Sequence, residues 1–121
     1  MNRTVLIVDD SASMRQIVRL TLQNAGFGIV EASNGAEGLE RLHAHQVQAV
    51  ISDVNMPVMD GINFVKAIRL LSAYRTIPVL MMTTASDADR RQAGRAAGAT
   101  GWIVKPFNPA QLLQTLEKVL P

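Results

Sequence analysis

Residues 47–61 read Val47-Gln48-Ala49-Val50-Ile51-Ser52-Asp53-Val54-Asn55-Met56-Pro57-Val58-Met59-Asp60-Gly61. The apolar run from Val47 to Ser52 has the length of a buried strand, and it ends at a carboxylate, Asp53. A loop, Val54 to Met59, follows directly. Asp60 is then placed to cap a helix whose apolar residues Ile62, Val65, Ile68 and Leu71 share one face. Buried strand, polar strand end, loop and capped helix together form one strand-helix unit.

The same unit recurs on both sides. Upstream, Val5 to Val8 is a strand ending at Asp9-Asp10. It is followed by a helix with Met14, Ile17, Val18, Thr21, Leu22 and Ala25 three and four apart, Ser13 with Gln16 as a capping box and Gly26 at its end. Gly28 to Ala32 is a second strand. Asn34 with Glu37 then caps a helix carrying Leu39 and Leu42. Downstream, Pro78 to Met82 is a fourth strand ending at Thr83-Thr84, and Asp87 opens a short helix that stops near Gly98. Gly101 to Val104 is the fifth strand, ending at Lys105-Pro106. Asn108 as cap and Pro109 in the first turn start a last helix with Leu112, Leu113, Leu116, Val119 and Leu120 on one face. Five such units with continuously apolar strands predict an α/β fold, a doubly wound parallel sheet covered by helices on both faces. At 121 residues the order 2-1-3-4-5 is expected rather than a closed barrel, which needs ~200 residues or more. The expectation is one domain spanning residues 1–121.

Four of the five predicted strands end in polar groups: Asp9 and Asp10, Asp53, Thr83 and Thr84, and Lys105. Open parallel sheets bind ligands at these carboxyl ends, and the order 2-1-3-4-5 makes the first and third strands neighbours. Asp9, Asp10 and Asp53 then share one acidic pocket. Each residue alone has an ordinary reading as a helix-dipole partner, loop carboxylate, strand-end cap or surface lysine. The coincidence at four strand ends favours a site. Three carboxylates repel one another unless cations offset them; Lys105 supplies one charge, and an all-oxygen set suits Mg²⁺. Aspartate can be the nucleophile in phosphoryl transfer, with a metal ion and a lysine neutralising charge.

Composition narrows the field. Without cysteine the chain has neither disulfides nor thiolate metal sites. No apolar run reaches the ~20 residues of a membrane helix, and the start has no signal-peptide pattern, so a cytoplasmic location is expected. Twelve basic against ten acidic residues, with 4% aromatics, leave few stacking platforms for nucleic acid. His43 and His45 are expected to be solvated, and Met56 and Met59 to pack the Asp53 loop.

The segments Val8-Asp9-Asp10-Ser11, Asp53 to Gly61, Thr83-Thr84-Ala85 and Lys105-Pro106-Phe107, in this order and spacing, resemble the receiver domains of two-component response regulators. The likeness runs from Val5 to Leu120 and is nearest to the stand-alone chemotaxis type. It implies that Asp53 accepts a phosphoryl group from a histidine kinase. It further implies that Asp10, Asp53 and the Asn55 carbonyl bind Mg²⁺, with Asp9 acting through water, and that Lys105 pairs with Asp53. Thr83 is implied to hydrogen-bond the phosphoryl group, and Lys105-Pro106 to be a cis peptide. Trp102 stands where the family has a switch aromatic, usually Tyr or Phe; the other reading is a core tryptophan at the strand edge. Ala85 offers no polar side chain to position water, whereas Asn55 does. The family meets partners through the fourth helix, fifth strand and fifth helix, which points to Arg90, Arg91 and Arg95 as a surface for an acidic partner such as the flagellar motor switch.

Such a protein is a phosphoacceptor and not an enzyme acting on other molecules. A haloacid-dehalogenase-type phosphohydrolase needs an acid/base where Asn55 stands. A flavodoxin-like carrier needs a phosphate-cradling loop where Asp9-Asp10 stand, and no P-loop motif occurs. Three outputs remain open: a chemotaxis-type regulator, a phosphate sink or shuttle for a shared kinase, and a receiver belonging to a longer regulator.

Overall fold

The computed structural model describes residues 3–84 and 88–120. Five strands and five helices alternate: β1 (Thr4–Val8), α1 (Ala12–Asn24), β2 (Gly28–Ala32), α2 (Gly35–Ala44), β3 (Ala49–Asp53), α3 (Gly61–Leu70), β4 (Val79–Thr84), α4 (Ala88–Ala97), β5 (Gly101–Lys105) and α5 (Pro109–Val119). The strands form one parallel sheet in the order β2-β1-β3-β4-β5. Fold class and strand order are those expected. No described helix is long and apolar enough to cross a membrane.

The sheet's alternation builds two cores. Leu6, Val8, Val50, Val79 and Met81 point to one face, where they meet Leu42 of α2 and Phe64, Val65 and Ile68 of α3. Val5, Ile7, Ala49, Ile51, Leu80, Met82 and Ile103 point to the other and meet Val18 and Leu22 of α1 and Leu112 and Leu116 of α5. Successive side chains of a strand face opposite ways, so strands buried on both sides must be apolar throughout. Parallel pairing sets Val8 beside Ser52 and Asp53 beside Met82, so the carboxyl ends of β1, β3 and β4 finish at one edge of the sheet.

Local signals held with exceptions. Asn34, Asp60 and Asn108 cap α2, α3 and α5 as expected, Gly26 follows α1 at φ 93°, and Lys105-Pro106 is cis. The cap of α1 is Ser11, whose Oγ accepts from Met14 N at 3.2 Å; Ser13 lies inside the helix and its Oγ is 3.1 Å from that of Ser11. The helix therefore starts two residues earlier than a Ser13 cap implies. Ile17 is half exposed despite its place in the periodic pattern, because Val18 and Leu22 already fill the seam against the sheet. Asp87 and Ala85 lie outside the described residues.

A polar knot fixes the end of the sheet remote from the carboxylates. Arg69 of α3 donates twice to the Gly98 carbonyl oxygen, at 3.0 and 2.7 Å, and once to that of Ile77 at 2.8 Å. It thereby ties the C-terminal end of α4 to α3 and to the entry of β4. Arg69→Ala strands these carbonyls, so a loss of about 2 kcal/mol is expected, read as a drop in melting temperature of about 8 °C.

Candidate functional site

The site is assembled from strand ends. Asp9 follows β1 and is fully buried. Its Oδ1 accepts from Ser11 N at 2.9 Å, its backbone N–H donates to the Ala32 carbonyl at 3.1 Å, and its own carbonyl accepts from Arg15 of α1. Backbone and side chain are thus held from three directions. Asp53 closes β3, and its Oδ1 accepts from Val54 N at 2.9 Å and from Lys105 Nζ at 3.1 Å. Lys105 closes β5, and its ammonium also lies 3.9 Å from Asp9 Oδ2. Asp10 is exposed at the rim. One carboxylate oxygen from each of Asp9, Asp10 and Asp53 lies within 4.8 Å of the others.

The loop that turns Asp53 toward this cluster depends on Gly61. A Cβ there would stand 2.2 Å from the Asp53 carbonyl oxygen and 2.9 Å from Val54 Cα, so only glycine permits the start of α3 to close on the end of β3. The crossing is tied by Gly61 N donating to the Val54 carbonyl at 2.8 Å. Met56 and Met59 pack the loop onto the core beneath α2 and α3. Between them Val58 takes φ 69° with 84% of its surface exposed, and Met59 N reaches the Pro57 carbonyl at 2.7 Å. That is a γ-turn with positive φ, an uncommon conformation for a β-branched residue.

Electrostatically the cluster is unbalanced: three carboxylates face the Lys105 ammonium. Burial pushes the Asp9 carboxyl above its ordinary range, and the Asp53 and Asp10 charges push the same way, against the Ser11 N–H and Lys105. Asp9 Oδ2 is buried and receives no hydrogen bond. A buried oxygen without a donor, beside two more carboxylate oxygens, fits a hard cation that prefers oxygen ligands. The sign for stability follows. A carboxyl whose pKa is raised on folding favours the fold below its unfolded pKa, and that contribution disappears as pH rises through the folded value. Asp9→Asn is therefore expected to raise the melting temperature of the cation-free protein at neutral pH, with the gain shrinking as pH falls toward the carboxylate range, and to weaken divalent-cation binding. Equal melting temperatures at pH 7 and pH 4 for variant and wild type would contradict this.

The other sequence candidates fall as follows. Thr83 is buried at the end of β4, and its hydroxyl donates to the Thr84 carbonyl at 3.3 Å. Asn55 is exposed on the loop. Trp102 is half-buried, and its indole lies against Gly94 of α4. His43 and His45 are exposed. Arg91 and Arg95 line an outward shelf of α4 with Gln92 and Ala96. Arg90, grouped with them by sequence, turns instead to the site: its Nη2 donates to Asn55 Oδ1 at 3.1 Å and lies 3.9 Å from Asp60 Oδ2. A cavity of about 360 Å³ lined by Asp10, Asn55, Met56, Pro57, Asp60 and Arg90 opens beside the acidic cluster. The contacts of Arg90 with Asn55 and Asp60 are what sequence reasoning missed, since helical spacing alone does not show which way a first-turn arginine bends.

A buried aspartate, its strand-end partner and a lysine on the edge strand, at the carboxyl edge of a 2-1-3-4-5 sheet, define the cleft of a receiver fold. The model for the response regulator receiver domain matches residues 5–117, and the chain belongs to that family. It is similar to the chemotaxis protein CheY1 of Helicobacter pylori, 40% identical over 96% of this chain and 95% of that one. It is also similar to CheY of Pseudomonas aeruginosa, 36% identical over 95% and 94%. Among solved structures, the chemotaxis response regulator CheY4 of Vibrio cholerae is 51% identical, covering 99% of this chain and 100% of that one at a TM-score of 0.94.

Proposed function

We propose that this receiver domain is a phosphorylation-controlled switch of the chemotaxis type, in which Asp53 takes a phosphoryl group from the phosphohistidine of a histidine kinase. The observation that carries the reading is the environment of Asp53. It sits within reach of two further carboxylates, beside a buried Asp9 oxygen that lacks a donor, and its Oδ1 is bonded to the site's ammonium. The chemotaxis assignment is supported by full-length likeness to proteins of that name.

Among the described residues, the two hydrogen bonds to the Asp53 carboxylate both fall on Oδ1, which leaves Oδ2 as the attacking oxygen. In the step, an Asp53 oxygen forms a bond to phosphorus, the phosphorus–nitrogen bond to histidine breaks, and the imidazole nitrogen keeps the electron pair and picks up a proton. Asp9, Asp10, Asp53 and the Asn55 carbonyl are the groups that would hold Mg²⁺, which when bound neutralises the carboxylates and the transferring phosphoryl oxygens. Lys105 stays within reach of both Asp9 and Asp53, so its ammonium is placed to pair with the phosphoryl charge that replaces the carboxylate's. The Thr83 hydroxyl would move from the Thr84 carbonyl to a phosphoryl oxygen, drawing the end of β4 inward and setting α4, and with it Trp102, into its second state.

The protein is thus proposed to be a phosphoacceptor that acts on itself alone, working in the cytoplasm and meeting an output protein such as the flagellar motor switch through α4, β5 and α5. Incubation with a chemotaxis kinase carrying labelled phosphohistidine tests the kinase assignment. Rapid Mg²⁺-dependent transfer of label to this chain is expected; label that stays on the kinase at equimolar protein would contradict it.

A further inference from the structure

We infer that Gly94 is a positioning residue for the output surface: it seats the Trp102 indole inside α4, so that helix and ring move as one body. Gly94 is buried in the middle of α4. A Cβ added there would stand 2.5 Å from Trp102 Cη2 and 2.7 Å from Cζ2, closer than any side chain can sit. The ring edge therefore occupies the space where a side chain of α4 would be. A glycine inside a helix disfavours it ~fivefold relative to alanine, and here the close approach of the indole is what that residue permits.

The surroundings give this contact a direction. Trp102 pairs with Met81 across the β4–β5 ladder and packs with it on the core facing α2 and α3. One turn beyond Gly94, α4 is tied down: the Gly94 carbonyl accepts from Gly98 N and Ala99 N at 3.1 and 3.0 Å, and Arg69 grips the Gly98 carbonyl. The opposite end of α4 starts four residues after Thr84, the end of β4. A pull at Thr83 and Thr84 thus enters α4 at its N-terminal end, where Arg90 bonds Asn55, and the helix pivots about the Gly98 tether with the indole as its contact on β5. This consequence rests on the switch reading above; the seat itself does not. A tyrosine or phenylalanine ring is smaller than an indole and does not need a bare backbone opposite it. The departure at Trp102 and the glycine at position 94 are in this view one matched pair.

The test is Gly94→Ala in the full chain, read without any phosphoryl group. Trp102 is the single tryptophan, so fluorescence reports its seat alone. The expected result is red-shifted emission, faster quenching by acrylamide and a lower unfolding midpoint. In a Trp102→Ala background the same substitution is expected to raise the midpoint, because the clash is gone and alanine favours the helix. This sign reversal keeps the inference open to refutation if Gly94→Ala alone fails to fold. Wild-type emission and quenching in folded Gly94→Ala would overturn the seat, as would a midpoint that moves the same way in both backgrounds. A second readout separates the two claims. Gly94→Ala is expected to take up a phosphoryl group from acetyl phosphate at the wild-type rate while the accompanying fluorescence change of Trp102 is lost. If wild type takes up none, the phosphoacceptor reading fails and the seat stands or falls on the midpoints.

Discussion

Asp53→Asn is expected to lose phosphoryl uptake, to below about one thousandth of the wild-type rate, while remaining folded. An amide has no ionised oxygen with which to attack phosphorus, and the neighbouring carboxylates are differently placed. Asp9 is buried and fixed by Ser11, Ala32 and Arg15, and Asp10 lies at the exposed rim. The fold should tolerate the change. The amide oxygen retains the bond from Val54 N, and the lost pairing with Lys105 is offset by relief of repulsion among three carboxylates. A stability change within about 1 kcal/mol follows. Circular dichroism and thermal unfolding check the fold, and label transfer from the kinase checks the chemistry. Normal labelling of a folded Asp53→Asn protein would move the acceptor elsewhere.

Lys105→Ala is the second large effect, with opposite signs for two measurements. The ammonium lies 3.1 Å from Asp53 and 3.9 Å from Asp9, close to where a divalent cation would sit. Its removal deletes a repulsion of that cation, so Mg²⁺ affinity is expected to rise, by up to roughly tenfold once solvent screening is allowed for. The same removal takes away the side chain that holds Asp53 Oδ1 and pairs with the incoming phosphoryl charge. Uptake is expected to fall about a hundredfold, and the response of Trp102 fluorescence to phosphorylation to disappear. Calorimetric titration with Mg²⁺ and single-turnover uptake separate the two. Weaker Mg²⁺ binding together with unimpaired uptake would show that Lys105 is a cation-site residue and not a phosphoryl partner.

Most of the architecture was legible in the sequence because its signals are local and redundant. Each buried strand is a continuous apolar run, and three of the helices carry their Asn or Asp cap in the place the spacing assigns. The acidic cluster followed from the same logic, since the strand order alone puts Asp9, Asp10 and Asp53 at one edge. What escaped depends on direction in space. Ser11 and Ser13 are both plausible caps until the strand end fixes where α1 begins. Phe64, fully buried in α3, was passed over although it stands four residues before Ile68 and shares its apolar face and core cluster. Arg90 bends to Asn55, while Arg91 and Arg95 line a separate surface of α4. The positive φ of Val58, set by the local γ-turn from Pro57 to Met59, and the indole seated on Gly94, set by the close approach of α4 and β5, have no sequence signature.

Phosphoryl uptake by Asp53 is expected to depend on Mg²⁺. The most direct test is the intact mass of the wild-type protein after incubation with acetyl phosphate, with Mg²⁺ and with excess chelator. One phosphoryl increment is expected with Mg²⁺, carried by the peptide containing Asp53 and removed by hydroxylamine, and none with chelator. An unmodified mass in both samples, or an equal increment in both, would contradict that expectation.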